Sequence, residues 1–187
     1  GLGRPDARGE RARPRGAVVA GALPPAERLI DNGAARTLTI TGSGLGGVLH
    51  MLDVDRLKLL NDAHGHLAGA EAVRTVGRII ASQVSCDAVA CRYGGDEFVI
   101  ALPRCSEAGG RAFADNLRHA VWATAPVLAG QPLPVRTLSV SIGLACQSFA
   151  SQAGSCSDVE HGEELFRAAD RALYQAKQLG RNHVCVA

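Results

Sequence analysis

No apolar run in these 187 residues approaches the roughly 20 needed to span a bilayer, so no membrane contact is expected from this segment. Ala17-Val18-Val19-Ala20 follows arginines but is too short for the apolar centre of a signal peptide. No CxxC pair occurs among the six cysteines, Cys86, Cys91, Cys105, Cys146, Cys156 and Cys185. Scattered in this way they offer neither a zinc site nor a disulfide framework, and read as reduced, mostly buried thiols of a cytoplasmic protein. Charge of one sign is also missing: 20 Lys and Arg against 18 Asp and Glu leave a net charge of +2. That balance argues against bulk nucleic-acid binding. No internal repeat is visible.

What is present is a hydrophobic fraction of 47%, ample for the core of one domain plus a tail. Residues 1–16 carry Arg4, Arg8, Arg11, Arg13 and Arg15 among Gly and Pro and read as a linker, leaving 17–187 as the domain. Pro24 to Asp31 reads as a short helix. Leu45 to Leu52 reads as a central strand ending at Asp53-Val54-Asp55, with Asp55 as N-cap of a helix from Arg56 to about Ala63. A second helix is predicted from about Ala68 to Val84, with Val73, Val76, Ile79 and Ile80 on its apolar face. Ser106 caps a third helix to about Trp122, and Val135 to Ala145 is β-rich with a bend at Ser141-Ile142-Gly143. Ser148 to Ser157 reads as a polar loop, Glu163 to Leu179 as an amphipathic helix stopped by Gly180, and Val184 to Val186 as a closing strand. The order βααββαββαβ predicts an α+β fold, a mostly antiparallel sheet with helices on its faces.

Chemistry concentrates around Arg92-Tyr93-Gly94-Gly95-Asp96-Glu97-Phe98, two glycines and two acids between two apolar runs, which reads as a β-hairpin. Such a turn puts its carboxylates where they can hold a metal or take a proton, and glycine lets a large charged ligand come close. Asp53 ends a strand; beside the hairpin it would share one site with Asp96 and Glu97. Oxygen ligands of this kind, completed by the Val54 carbonyl, suit Mg²⁺ (or Mn²⁺), which usually retains phosphates and water. Lys177 and Arg181, four apart, would lie on one helical face. Alone they are favourable charge at a helix C-terminus; beside a metal they become a triphosphate clamp. Asn61 has donors and an acceptor suited to a base edge, while His64 and His66 read as packing or capping residues. Metal, acid and clamp together imply nucleotidyl transfer, attack of a hydroxyl on an α-phosphate.

The segments DVDRLKLLNDAHGH (Asp53 to His66), RYGGDEF (Arg92 to Phe98), SIGLA (Ser141 to Ala145) and ADRALYQAKQLGRN (Ala169 to Asn182) together resemble the GGDEF family of diguanylate cyclases, from about Val48 onwards. The resemblance implies a nucleotidyl-cyclase fold akin to polymerase palm domains. It implies condensation of two GTP into cyclic di-GMP and two pyrophosphates by a homodimer beneath a sensory domain. On it, Asp53, Val54, Asp96 and Glu97 would hold the metal, and Asp96 would also be the acid near the attacking 3′-hydroxyl. Lys58, Lys177 and Arg181 would serve the phosphates, Gly94 and Gly95 would admit the nucleotide, and Asn61 and His66 would lie with the substrate. The alternative is a degenerate domain acting as a non-enzymatic GTP or cyclic di-GMP binding module; a cyclase that also accepts ATP is a third reading.

Departures from the family pattern bear on that choice. Ala70 stands where the family has an aspartate reading guanine. The lost charge-assisted hydrogen bond is worth roughly 1.5–3 kcal/mol, so weaker GTP binding or relaxed base choice is expected. Leu57 replaces an aromatic, and an N-terminal DxLTGLxNR segment is absent in recognisable form, with residues 21–28 as its remnant. The window of the RxxD inhibitory product site reads Ser85-Cys86-Asp87-Ala88, without an arginine. Any retained product is therefore expected at the catalytic cleft.

Overall fold

The computed structural model describes residues 46–147 and 158–187; the expected linker, the Pro24 to Asp31 helix and the Ser148 to Ser157 loop lie outside the described residues. The elements are β1 (Gly47–Val54), α1 (Leu57–His64), α2 (His66–Gln83), β2 (Val89–Arg92), β3 (Glu97–Pro103), α3 (Glu107–Ala123), β4 (Val127–Leu128), β5 (Gln131–Pro132), β6 (Val140–Gln147), α4 (Asp158–Gln178) and β7 (Val184–Val186). Five strands form one sheet in the order β2-β3-β1-β6-β7, and β4 and β5 form a separate hairpin. All neighbours in the sheet are antiparallel except β6 and β7. This is the α+β architecture the sequence predicts.

β1 is the middle strand, and both its faces are covered, which is why it reads as a nearly unbroken apolar run. Val48, Leu52 and Val54 point to one side, where they meet Val73, Val76 and Ile80 of α2 and Leu117 and Val121 of α3. Leu49 and Met51 point to the other, against Ala169 and Leu173 of α4. His50 shares the α2–α3 side, buried edge-on to Phe113 with Nε2 2.9 Å from the Gly110 carbonyl. Burial pushes its pKa below 6.5 and keeps the ring neutral.

The predicted bend at Ser141-Ile142-Gly143 is not there; β6 runs straight through it. Gly143 serves close approach instead. A Cβ there would stand 2.0 Å from the Leu173 nitrogen and 2.2 Å from the Ala169 carbonyl oxygen, so α4 lies directly on the β6 backbone. The β4–β5 hairpin was not predicted, and residues 135–139 precede the strand rather than begin it. Ser106 caps α3 as expected, its hydroxyl accepting from the Gly109 N–H at 3.2 Å. Asp55 does not cap α1. The N-cap is Arg56, at φ 56, and makes no side-chain bond.

Candidate active site

The C-terminal end of β1 carries the site. In the register of the sheet Asp53 faces Glu97 of β3 on one side and Ser141 of β6 on the other. Directly opposed residues project to the same face, so Asp53 and Glu97 share the face that α4 covers. Lys177, in the last turn of α4, reaches back to Asp53, with Nζ 2.8 Å from Oδ2. Asp53 is only 8% exposed, and burial pushes its pKa from 3.8 up to about 6. Lys177 pulls the other way, while the charges of Asp96 and Asp55 add to the rise. One cation therefore balances a desolvated carboxylate that two other acids crowd. Charge at this spot is unfinished.

Asp96 sits in the turn between β2 and β3, and its carbonyl accepts from the Val54 N–H at 3.1 Å. The turn is closed by Tyr93 N–H to the Glu97 carbonyl at 2.8 Å and held by Arg92, whose Nε donates to the carbonyls of Gly94 at 3.1 Å and Gly95 at 3.2 Å. A Cβ on Gly94 would come within 2.8 Å of Glu97 Oε2, whereas one on Gly95 would meet open space. The Glu97 carboxylate, at the end of a flexible side chain, could swing aside from a Cβ at 94, and the turn is open above 95.

Asp55 has a different role from Asp53. Its Oδ1 accepts from Ser141 Oγ at 2.7 Å; its Oδ2 accepts from Ser139 Oγ at 2.7 Å and from the Asn182 N–H at 3.0 Å. It ties the end of β1 to β6 and to the turn following α4. Sequence reasoning missed this brace, as it missed Arg92.

The remaining expected residues are placed as follows. Asn61 of α1 lies against Gly69 of α2, where a Cβ would stand 1.9 Å from Asn61 Oδ1. That oxygen is buried without a hydrogen-bond partner. Lys58 and His66 are exposed, the latter as the first residue of α2. Arg181 is not on the helix with Lys177: α4 ends at Gln178, and Arg181 follows Gly180 with φ 69. It lines a cleft that includes neither Lys177 nor Asp53. In the Ser85 to Ala88 window, Asp87 pairs with Arg104 from beyond β3, at 2.7 Å.

Among the described residues no three His, Cys, Asp or Glu side chains stand together closely enough to hold a metal. The expected cage of Asp53, Asp96 and Glu97 is thus not closed around a centre. Mg²⁺ rarely needs such a cage, being held by one or two carboxylates together with substrate phosphates. A desolvated Asp53 crowded by Asp96 fits that requirement.

Comparison with known proteins identifies the family. The family described as diguanylate cyclase, GGDEF domain, matches residues 28–183. The chain belongs to the GGDEF family. It is 34% identical to diguanylate cyclase A of Treponema denticola over 134 residues, 72% of this chain and 33% of that protein. It is 35% identical to diguanylate cyclase VdcA of Vibrio cholerae over 150 residues, 78% of this chain and 40% of that protein. The chain thus spans well under half the length of these relatives. The GGDEF domain of DgcB from Caulobacter crescentus, solved in complex with c-di-GMP, superimposes with a TM-score of 0.67 at 27% identity, covering 78% of this chain and 80% of that one. No helix of the described residues is long and apolar enough to cross a membrane.

Proposed function

We propose that this GGDEF domain is a diguanylate cyclase, condensing two GTP into cyclic di-GMP and two pyrophosphates. The observation that carries the reading is the Asp53–Lys177 pair at 2.8 Å, set at a buried strand end beside Asp96 and opposite Glu97. In each half-reaction the 3′-hydroxyl oxygen of one GTP bonds to the α-phosphorus of the other, and the bond to pyrophosphate breaks. The hydroxyl proton passes to Asp96, at the open side of the Gly94-Gly95 turn. Mg²⁺ (or Mn²⁺), held by Asp53, the Val54 carbonyl and Asp96, with Glu97 nearby, would supply positive charge to the phosphates. Lys177 stands where a phosphate oxygen can compete with Asp53 for its ammonium. Lys58 and Arg181 serve the outer phosphates, and Asn61 turns its amide to the base. His66 lies beside the substrate. Each domain holds one GTP, so a second copy must present the other; a sensory domain would set how the copies meet.

Ala70 favours a second reading. It is exposed and brings no carboxylate to the base beside Asn61, as suits a module that binds GTP or cyclic di-GMP without turnover. Without an arginine in the Ser85 to Ala88 window, retained product would sit in the same cleft. Incubating the purified protein with Mg²⁺ and GTP, ATP or both, and resolving the products, separates the readings. Cyclic di-GMP from GTP is expected; no turnover at high protein concentration, with binding intact, selects the module.

A further inference from the structure

Behind α1, on the flank away from Asn61, lies a cleft of about 380 Å³ that neither metal nor base recognition uses. Arg56 and Leu59 of α1 form one wall, Leu138 and Arg136 a second, Arg181 a third, and the half-buried Trp122 at the end of α3 closes it. None of Asp53, Asp96, Glu97 and Lys177 lines it. The one acid that does, Asp55, already accepts from two serines and a backbone N–H. The three arginine side chains are exposed, and none pairs with an acid among the described residues.

Backbone conformation sets this cluster apart. Six non-glycine residues of the described chain have positive φ, and four of them, Arg56, Arg136, Arg181 and Asn182, line this cleft. Such conformations are avoided by ordinary residues and gather at ligand clamps. Each is pinned locally: the Arg56 carbonyl accepts from Leu60 N–H at 3.1 Å, Arg136 N–H donates to the Trp122 carbonyl at 3.0 Å, and Arg181 N–H donates to the Ala176 carbonyl at 3.2 Å. Arg136 also sets its guanidinium 5.9 Å from the Trp122 ring centroid.

We propose that this cleft is a second ligand site, taking a nucleoside phosphate. The guanidinium groups of Arg56 and Arg136, which the GTP site does not use, suit the phosphate, since arginine gives forked, charge-assisted bonds. The Trp122 face and the leucine walls suit a flat base. The volume falls within the range of small-molecule sites. Occupancy reaches the active site through the Asn182 turn, braced by Asp55 at the strand end that carries Asp53.

The chain has a single tryptophan, so its emission reports on this cleft directly. GMP added without divalent ions should change that emission saturably, and guanosine or inorganic phosphate alone should need much higher concentration. Glycine adopts positive φ without strain, so Arg56→Gly with Arg136→Gly keeps the backbone and removes both side chains. That double variant should bind GMP about a hundredfold more weakly, roughly tenfold for each arginine, while Asp53→Asn leaves the affinity as it was. Equilibrium dialysis gives the same comparison independently of emission. Equal GMP affinity in the double variant, loss of the signal in Asp53→Asn, or no metal-independent binding by dialysis overturns the proposal. None of these outcomes bears on whether GTP is turned over at Asp53.

Discussion

Asp53→Asn should change the pH dependence of folding in a direction opposite to that of most carboxylates. In the folded chain burial holds the Asp53 pKa at about 6 against an ordinary 3.8, with Lys177 only partly offsetting it. The unfolded chain therefore ionises first as pH rises, and between these values the folded state holds more protons. By linkage, the free energy of unfolding falls as pH climbs through that window and is level above it. A separation of about two units corresponds to about 3 kcal/mol. The asparagine variant lacks this fall, and other titrating groups largely cancel in the difference between the two proteins.

The measurement is urea unfolding of both proteins without divalent ions, from about pH 3 to about pH 8. With slopes of about 1–3 kcal/mol per molar urea, the wild-type midpoint should drop against the variant by at least about 1 M across the window. A difference that stays flat would mean that Asp53 is not desolvated in solution. A difference that grows with pH would mean that Lys177 outweighs burial and holds the pKa low. Either result refutes the picture of an under-compensated carboxylate. The variant should also lose essentially all turnover of GTP.

Gly143→Ala should destabilise the domain by about 3 kcal/mol or more, because the new methyl meets the α4 backbone and no flexible side chain can yield; an unchanged melting temperature would refute the close packing. Asp55→Ala leaves two hydroxyls and the Asn182 N–H without their acceptor. A loss of about 3 kcal/mol, read as a fall of roughly 10 °C in calorimetry, is expected. Ala70→Asp should lower KM for GTP about tenfold with ATP little affected; an unaltered ratio in steady-state assays would show that this position does not read the base.

Much of the fold is legible in local pattern. β1, α2 and α4 announce themselves by apolar runs and helical spacing, and their observed limits lie within a few residues of those predicted, α4 beginning earlier. What escapes depends on distant partners. Asp55 reads as an N-cap because its neighbours in sequence are a helix start, yet its hydrogen bonds come from 84, 86 and 127 residues away. Gly143 reads as a bend because the contact that needs it belongs to α4. The β4–β5 hairpin, with two-residue strands and Pro132 in one of them, is too short for any periodicity. Arg181 falls in register with Lys177 only if the helix continues, and it stops first.

The pairing of Asp53 with Asp55 shows why spacing alone could not divide their roles. The two acids are two residues apart at one strand end, each 8% exposed. Asp55 receives three donors and is complete as an anion; buried charge so satisfied acts as a brace. Asp53 receives one ammonium and the repulsion of its neighbours, so its ionised form is kept costly. The brace and the reactive group are linked, because the turn that Asp55 holds through Asn182 follows the helix that carries Lys177. Loosening that turn would carry Lys177 away from Asp53 and push the Asp53 pKa further up. An Asp55→Glu protein, which keeps the charge that acts on Asp53 but displaces the turn, should accordingly show the onset of turnover at higher pH than wild type, although Asp55 touches no substrate. An onset that stays in place would separate the brace from the site.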